Sequence, residues 1–257
     1  MKIHAHFKQK NGGDPTLEWQ LARVGIVTAS EADSLISPIG KIRTGEGVES
    51  YLCKKLAERW IGGQLPSAFS GSFAMEQGNI VEEQAIPFAA FEYGLDIQQV
   101  GFVSTDCGRT GCSPDGLIGF DASKFSKTAP TPYKLSGGES GIEIKCPNLD
   151  THIKYLLAGK LPTDYVAQVQ FSMHITGCQT WHFLSYRRNL PALHLVIQRD
   201  DKFQESLAQA LGEFNQKFDA AMAKLVEING GEPDQRTRGL VPFKIEKQET
   251  ESIDLIP

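Results

Sequence analysis

The chain has 257 residues, of which 40% are hydrophobic and 22% charged, a balance that excludes wholesale disorder, a collagen-like repeat and a coiled coil. Its 31 acidic and 26 basic residues leave a net charge of −5, which by itself argues against a nucleic-acid partner. No apolar run approaches about 18 residues and the opening MKIHAHFKQKNGG has no apolar core, so neither a spanning helix nor a secretory leader is expected, and the cytoplasm is the expected location. Cys53, Cys107, Cys112, Cys146 and Cys178 form no C-x-x-C pair, so reduced thiols are expected rather than a zinc or iron–sulfur site.

In chain order, the first expected element is a short helix over 30–36, with Ser30 as N-cap and Ala32, Leu35 and Ile36 as its apolar face. Val48, Tyr51, Leu52, Leu56 and Trp60 give a helical period over 48–61, closed by Gly62-Gly63. A helix over 77–93 would bury Val81, Ala85, Phe88 and Phe91, and Pro87 should kink or break it. Strands are expected over 97–103, 116–119 and 141–145, helices over 150–158 and 164–176, strands over 180–186 and 192–198, and a long helix near 202–227. The order points to an α/β or α+β chain around a central mixed sheet flanked by helices. One domain is expected over 1–228. A polar, proline-containing extension over 229–257 is expected to be an arm or a partly disordered end.

Two acidic positions carry the chemistry. Asp115 lies in Ser113-Pro114-Asp115-Gly116-Leu117, between a turn and a strand. Glu143 lies in Gly141-Ile142-Glu143-Ile144-Lys145, within a strand. Alternation along a strand puts Glu143 and Lys145 on one face and Ile142 and Ile144 on the other. If Asp115 opens the neighbouring strand of a hairpin whose connection is the 120–141 loop, the three groups converge. Two carboxylates then suit a hard divalent cation such as Mg²⁺, with the Ile144 carbonyl as a further ligand and Lys145 beside a bound water. A turn Asp-Gly and a solvated Glu-x-Lys face are the plainer alternatives.

The pattern Pro114-Asp115 with Glu143-Ile144-Lys145 resembles the PD-(D/E)XK nuclease superfamily. Further stretches resemble the phage lambda exonuclease, or YqaJ-type viral recombinase, family. These are Arg23-Val24-Gly25-Ile26-Val27-Thr28-Ala29-Ser30, Gly78-Asn79-Ile80-Val81-Glu82, Cys112-Ser113-Pro114-Asp115-Gly116-Leu117, Glu143-Ile144-Lys145-Cys146-Pro147 and Tyr165-Val166-Ala167-Gln168-Val169-Gln170. The likeness spans about 19–201.

The resemblance implies a restriction-endonuclease-like core and a catalytic set of Asp115, Glu143, Lys145 and Glu82. Two Mg²⁺ ions, for which Mn²⁺ can substitute, would be held by Asp115, Glu143, Glu82 and the Ile144 carbonyl. It implies a 5′-phosphate pocket from Arg23, Ser30, Ser113, Tyr165 and Gln168, although Tyr165 also reads as a half-buried core residue. Met75, or Phe73, is the positional candidate for a wedge that parts base pairs. The implied activity is 5′-to-3′ digestion of linear double-stranded DNA carrying a 5′-phosphate end, releasing mononucleotides and leaving 3′ overhangs for phage-type recombination. A ring-shaped homotrimer, a single-strand annealing protein as partner and no membrane go with it, in a bacterial or phage-infected cell. An endonuclease of the same superfamily and an inactive DNA-end-binding module remain alternatives. Lys124, Lys127 and Lys134 in the 120–141 loop either touch DNA backbone or are simply solvated. His182 and His194 are expected to be hydrogen-bonded structural residues.

Overall fold

The computed structural model describes residues 1–4, 17–65, 84–126 and 129–233. Its helices are α1 (Leu17–Leu21), α2 (Glu46–Ile61), α3 (described over 84–93), α4 (Leu149–Ala158), α5 (Thr163–Thr176) and α6 (Asp201–Asn229), with 3₁₀ turns at Ala29–Ser34 and Ala122–Lys124. The strands are β1 (Lys2–His4), β2 (Val27–Thr28), β3 (Ile97–Gln98), β4 (Phe102–Ser104), β5 (Thr110–Cys112), β6 (Gly116–Ile118), β7 (Thr131–Pro132), β8 (Ser140–Lys145), β9 (Thr180–Ser185) and β10 (Leu193–Gln198). Among the described residues they form two mixed sheets, ordered β2-β5-β4-β1-β7 and β10-β9-β8-β6-β3. The mixed α/β class is therefore as expected, with the strands divided between two sheets.

β8 is the strand that organises the second sheet. It pairs antiparallel with β6, Gly116 opposite Ile142, and parallel with β9, Glu143 opposite Phe183. The 119–139 segment is the connection of the expected hairpin, and it holds β7 and a 3₁₀ turn. The two faces of β8 differ as the alternation requires. Ile142 and Ile144 pack in one apolar cluster with Ala85 and Ala89 of α3 and Leu184 of β9. Glu143 turns toward α5, where Gln168 meets it. Gly141 allows this layering, because a Cβ there would lie 2.3 Å from the Trp181 ring, so the indole closes directly over the strand.

The larger cluster joins α2, α5 and α6 to the first sheet. α6 presents Phe203, Leu207, Ala210, Leu211 and Phe214 at helical spacing, and all five are buried. Each large apolar side chain contributes about 1.5–3 kcal/mol by leaving water. The Asp200 carboxylate caps this helix by accepting from the Phe203 N–H at 3.1 Å, and Gly230 ends it in the left-handed conformation. α2 likewise stops at left-handed Gly62.

Four local expectations differ from the structure. Residues 29–34 form a 3₁₀ turn whose N-cap position is Thr28, so Ser30 lies inside the turn with its hydroxyl turned toward Arg23. The 97–103 run is broken into β3 and β4, which belong to different sheets, because the chain crosses between them at Val100-Gly101 and Gly101 N–H bonds back to the His4 carbonyl. α3 is helical without a break on both sides of Pro87 over its described span, 84–93, so no break falls at the proline there. Phe91 is 90% exposed, since α3 turns Ala85 and Ala89 toward the sheet instead. Glu82, Met75, Phe73 and Lys127 lie outside the described residues, as does 234–257.

Candidate active site

Asp115 immediately precedes β6 and is tied to β8 twice. Its backbone N–H donates to the Ile142 carbonyl at 3.1 Å, and its Oδ2 accepts from the Ile144 N–H at 2.6 Å. Within a strand a residue's N–H and C=O face the same side, so the Ile144 carbonyl is also directed to the Asp115 side of β8. Glu143, one residue along, is only 4% exposed. Its Oε1 accepts from Lys145 Nζ at 2.6 Å and from Gln168 Nε2 at 2.6 Å. Lys145 in turn lies 4.8 Å from the centre of the Tyr165 ring. Tyr165 and Gln168 are three residues apart on α5 and therefore share a face, while the Tyr165 ring also leans on Phe183 and Tyr155.

Burial of Lys145 alone would favour its neutral form. The Glu143 and Asp115 charges outweigh that and raise its pKa above the ordinary lysine value, so it is an ammonium at neutral pH. It can donate hydrogen bonds and offset negative charge at the site.

A second cluster adjoins the first through Ser113-Pro114-Asp115. Arg23, in the turn after α1, donates from Nη1 to Ser113 Oγ at 3.2 Å. Its Nη2 donates to Ser30 Oγ at 3.0 Å and Thr28 Oγ1 at 3.3 Å. The guanidinium stacks on Trp19 at 4.4 Å from the ring centre, and Trp19 Nε1 donates to Ser113 Oγ at 2.9 Å and to the Gly101 carbonyl at 3.1 Å. Ser113 Oγ thus accepts twice, and its own proton has no acceptor among the described residues. An incoming anionic oxygen could take it. Burial lowers the Arg23 pKa, with the nearby Glu31 charge opposing that effect, but a guanidinium stays cationic throughout the physiological range. A fixed cation flanked by hydroxyls suits an anion with several oxygens.

Arg23, Ser30 and Ser113 are brought together, and so are Asp115, Glu143, Lys145, Tyr165 and Gln168. Gln168, expected in the phosphate pocket, donates to Glu143. The donors around Asp115 and Glu143 are oxygen atoms of carboxylates and a strand carbonyl, a set that fits a hard divalent cation. Among the described residues no cluster of three or more His, Cys, Asp or Glu forms; the expected third carboxylate, Glu82, is outside them. His182 and His194 bond to each other at 2.8 Å, away from these groups.

Sequence reasoning missed the support of the pocket. Glu31 accepts from Thr28 Oγ1 at 2.9 Å, Tyr51 Oη at 3.2 Å, Lys54 Nζ at 2.7 Å and Lys55 Nζ at 2.7 Å. Although burial would raise its pKa, Lys55 and Lys54 pull the carboxyl down to about 2. Lys55 is 3% exposed and also meets Glu58 at 3.1 Å. One signal was present: Lys55 falls in the apolar stripe of α2, with Val48, Tyr51, Leu52 and Leu56.

Residues 18–179 match the YqaJ-like viral recombinase domain. ExoD of Escherichia coli strain K12 is 36% identical over 83 residues, covering 30% of this chain and 95% of that protein. The crystal structure of LHK-Exo, an alkaline exonuclease from Laribacter hongkongensis, superposes with a TM-score of 0.67 at 28% identity, covering 84% of this chain and 98% of that one. A phage-related exonuclease from Haemophilus somnus 129PT shares the fold, with a TM-score of 0.52 at 17% identity over 78% of this chain and 96% of that one. The family match spans more than half the sequence and contains both halves of the site, so the chain belongs to the YqaJ-like viral recombinase domain family.

Proposed function

We propose that this protein is a divalent-metal-dependent exonuclease that digests linear double-stranded DNA in the 5′-to-3′ direction, releasing 5′-mononucleotides and leaving 3′ single-stranded overhangs. The observation that carries this reading is the spacing of the two clusters. Ser113, in the anion pocket, and Asp115, in the carboxylate pair, are two residues apart, a span of at most about 7 Å. That is the scale of one nucleotide step along a strand. A terminal 5′-phosphate held by Arg23, Ser30 and Ser113 would bring the next phosphodiester to Asp115 and Glu143. An endonuclease has no use for a terminal-phosphate pocket one step from its carboxylates. The structure of LHK-Exo in complex with dAMP, a nucleoside monophosphate, is consistent with such a product.

Asp115, Glu143 and the Ile144 carbonyl would hold the cation, Mg²⁺ with Mn²⁺ as a substitute, and Glu82 is proposed to complete the set. When bound, the cation would neutralise charge on the scissile phosphoryl group and make water a better nucleophile. The protein's own groups do the rest. Lys145 and Gln168 both donate to Glu143 Oε1 and so hold the carboxylate in a fixed orientation. Lys145, kept cationic, orients water by donation and offsets charge developing on the phosphoryl oxygens. Tyr165 confines the ammonium by stacking beneath it. Arg23 and the two serines fix the strand end, which turns an encounter with any phosphodiester into attack on one.

Family membership supports the wider setting: a ring-shaped homotrimer around DNA, an annealing protein that takes the 3′ overhang, and phage-type recombination as the process. No described helix is long and apolar enough to cross a membrane. The discriminating experiment offers linear 5′-phosphorylated duplex and covalently closed circles in Mg²⁺ buffer. The proposal expects the linear form to be consumed and the circles to survive. Cut circles would favour an endonuclease, and binding without hydrolysis an inactive end-binding module.

A further inference from the structure

The anion pocket stands on a charged network that the proposed hydrolysis does not use. Glu58 Oε2 accepts from the Gly25 N–H at 3.1 Å and from Lys55 Nζ at 3.1 Å. Lys55 Nζ also reaches Glu31 Oε2 at 2.7 Å, and that oxygen accepts the Thr28 hydroxyl at 2.9 Å. Both ends of the Gly25–Thr28 segment are thereby bound to α2 through one buried lysine. Gly25 itself is left-handed, φ +64°, and a Cβ there would lie 2.7 Å from Arg59 Cβ, so the segment sits directly against that helix.

Hydrogen-bond arithmetic gives the network a direction. Thr28 has one hydroxyl proton and is fully buried. Donated to Glu31, that proton leaves only lone pairs to face Arg23 Nη2 at 3.3 Å and Ser30 Oγ at 3.3 Å. Without Glu31 the hydroxyl could rotate and aim its proton at the guanidinium. Buried ion pairs are also poor sources of stability, since well-packed apolar side chains often serve as well in their place. Lys55 and Glu58, with side chains 3% and 5% exposed, therefore call for a role besides holding the fold.

We propose that Glu31 is a positioning residue for the pocket: it orients the Thr28 hydroxyl so that Thr28 accepts from Arg23, aligning the guanidinium for a terminal phosphate, while Lys55 and Glu58 lock that arrangement to α2. This inference rests on the 5′-phosphate pocket proposed above and assigns the residue that sets its selectivity.

The test compares kcat and KM on duplexes with 5′-phosphate and 5′-hydroxyl ends, in Mg²⁺, for the full chain and for Glu31→Ala, Glu31→Gln and Thr28→Val, with thermal melts alongside. Glu31→Ala and Thr28→Val are expected to shrink the phosphate-over-hydroxyl ratio of kcat/KM about 5- to 10-fold, through KM. Glu31→Gln, whose amide oxygen still accepts from Thr28, is expected to keep the larger part of the ratio. An unchanged ratio in both Glu31→Ala and Thr28→Val overturns the inference, as does an equal loss on both ends that tracks the melting temperature. If Glu31→Ala does not fold, the isosteric Thr28→Val decides. A wild-type ratio of one would instead remove the phosphate pocket itself, and this inference with it.

Discussion

The Glu143–Lys145 pair separates what the site does for catalysis from what it does for stability. Lys145→Met leaves the Glu143 carboxylate, with its side chain 5% exposed, without the ammonium 2.6 Å away. Breaking a buried pair from one side costs about 3–5 kcal/mol. The Gln168 amide still donates to Glu143, which places the expected loss near the lower end, about 3 kcal/mol. Glu143→Gln strands the lysine instead, but its side chain is 25% exposed and can turn to water, so roughly 1–2 kcal/mol is expected. The double variant contains no stranded charge and should lie within about 1 kcal/mol of the wild type, giving a coupling of about 3–5 kcal/mol. For a chain of this length that is a fall of about 6–12 °C in Tm for Lys145→Met and recovery to within about 4 °C in the double variant. Denaturant unfolding in chelator-containing buffer measures the cycle, and digestion of linear duplex in Mg²⁺ measures activity. All three variants should stay inactive even where stability returns. Single effects that add to within about 0.5 kcal/mol would refute the coupling, and a double variant that digests DNA would refute the catalytic assignment.

Other outcomes follow from the same geometry. Asp115→Asn can still accept from the Ile144 N–H through its amide oxygen, so duplex binding and melting should persist while turnover falls about 10³-fold or more; near-normal turnover would remove Asp115 from the metal site. Arg23→Ala should raise KM for 5′-phosphorylated ends about 10- to 100-fold and erase their preference over 5′-hydroxyl ends; a preserved preference contradicts the pocket. Glu31 predicts an acid-side stability loss. Its folded carboxyl is depressed from 4.5 to about 2, so its contribution is complete above about pH 4.5 and fades as pH falls toward 2. The depression corresponds to at most about 3 kcal/mol, and partial solvent contact reduces that to roughly 1–2 kcal/mol. The stability gap between wild type and Glu31→Gln in urea should therefore close between pH 4.5 and 2, whereas a gap independent of pH would refute the ion pair.

Those parts of the site that depend on local periodicity were legible in the sequence. Alternation along 141–145 put Glu143 and Lys145 on one face, and the turn-forming Pro114-Asp115-Gly116 placed Asp115 beside them across the hairpin. Gln168 was legible only through resemblance, which did not reveal its hydrogen bond to Glu143. Phe91 misled because an apolar residue at helical spacing does not say which face the sheet will cover; the small Ala85 and Ala89 let α3 approach the sheet instead. The 97–103 run misled because strand pattern does not reveal that the chain changes sheets midway. Glu58 was hidden by its charge, and Lys55 showed only its place in the apolar stripe of α2. A charged helical residue ordinarily faces water, and their partners Glu31 and Gly25 lie on a distant segment that only the folded chain brings near. The net charge of −5 was similarly uninformative, because DNA responds to the local field around groups such as Arg23 and Lys145 rather than to the sum.

The central claim, a terminal-phosphate pocket one nucleotide from the hydrolytic carboxylates, is tested most directly by the first product released. Linear duplex labelled at its 5′-phosphate and, separately, at its 3′ end should be digested in Mg²⁺ and the products resolved by length. The account predicts that 5′ label leaves at once as mononucleotide while 3′ label stays on strands that shorten from the other end. Early release of 3′ label, or 5′ label released first in longer oligonucleotides, would contradict it.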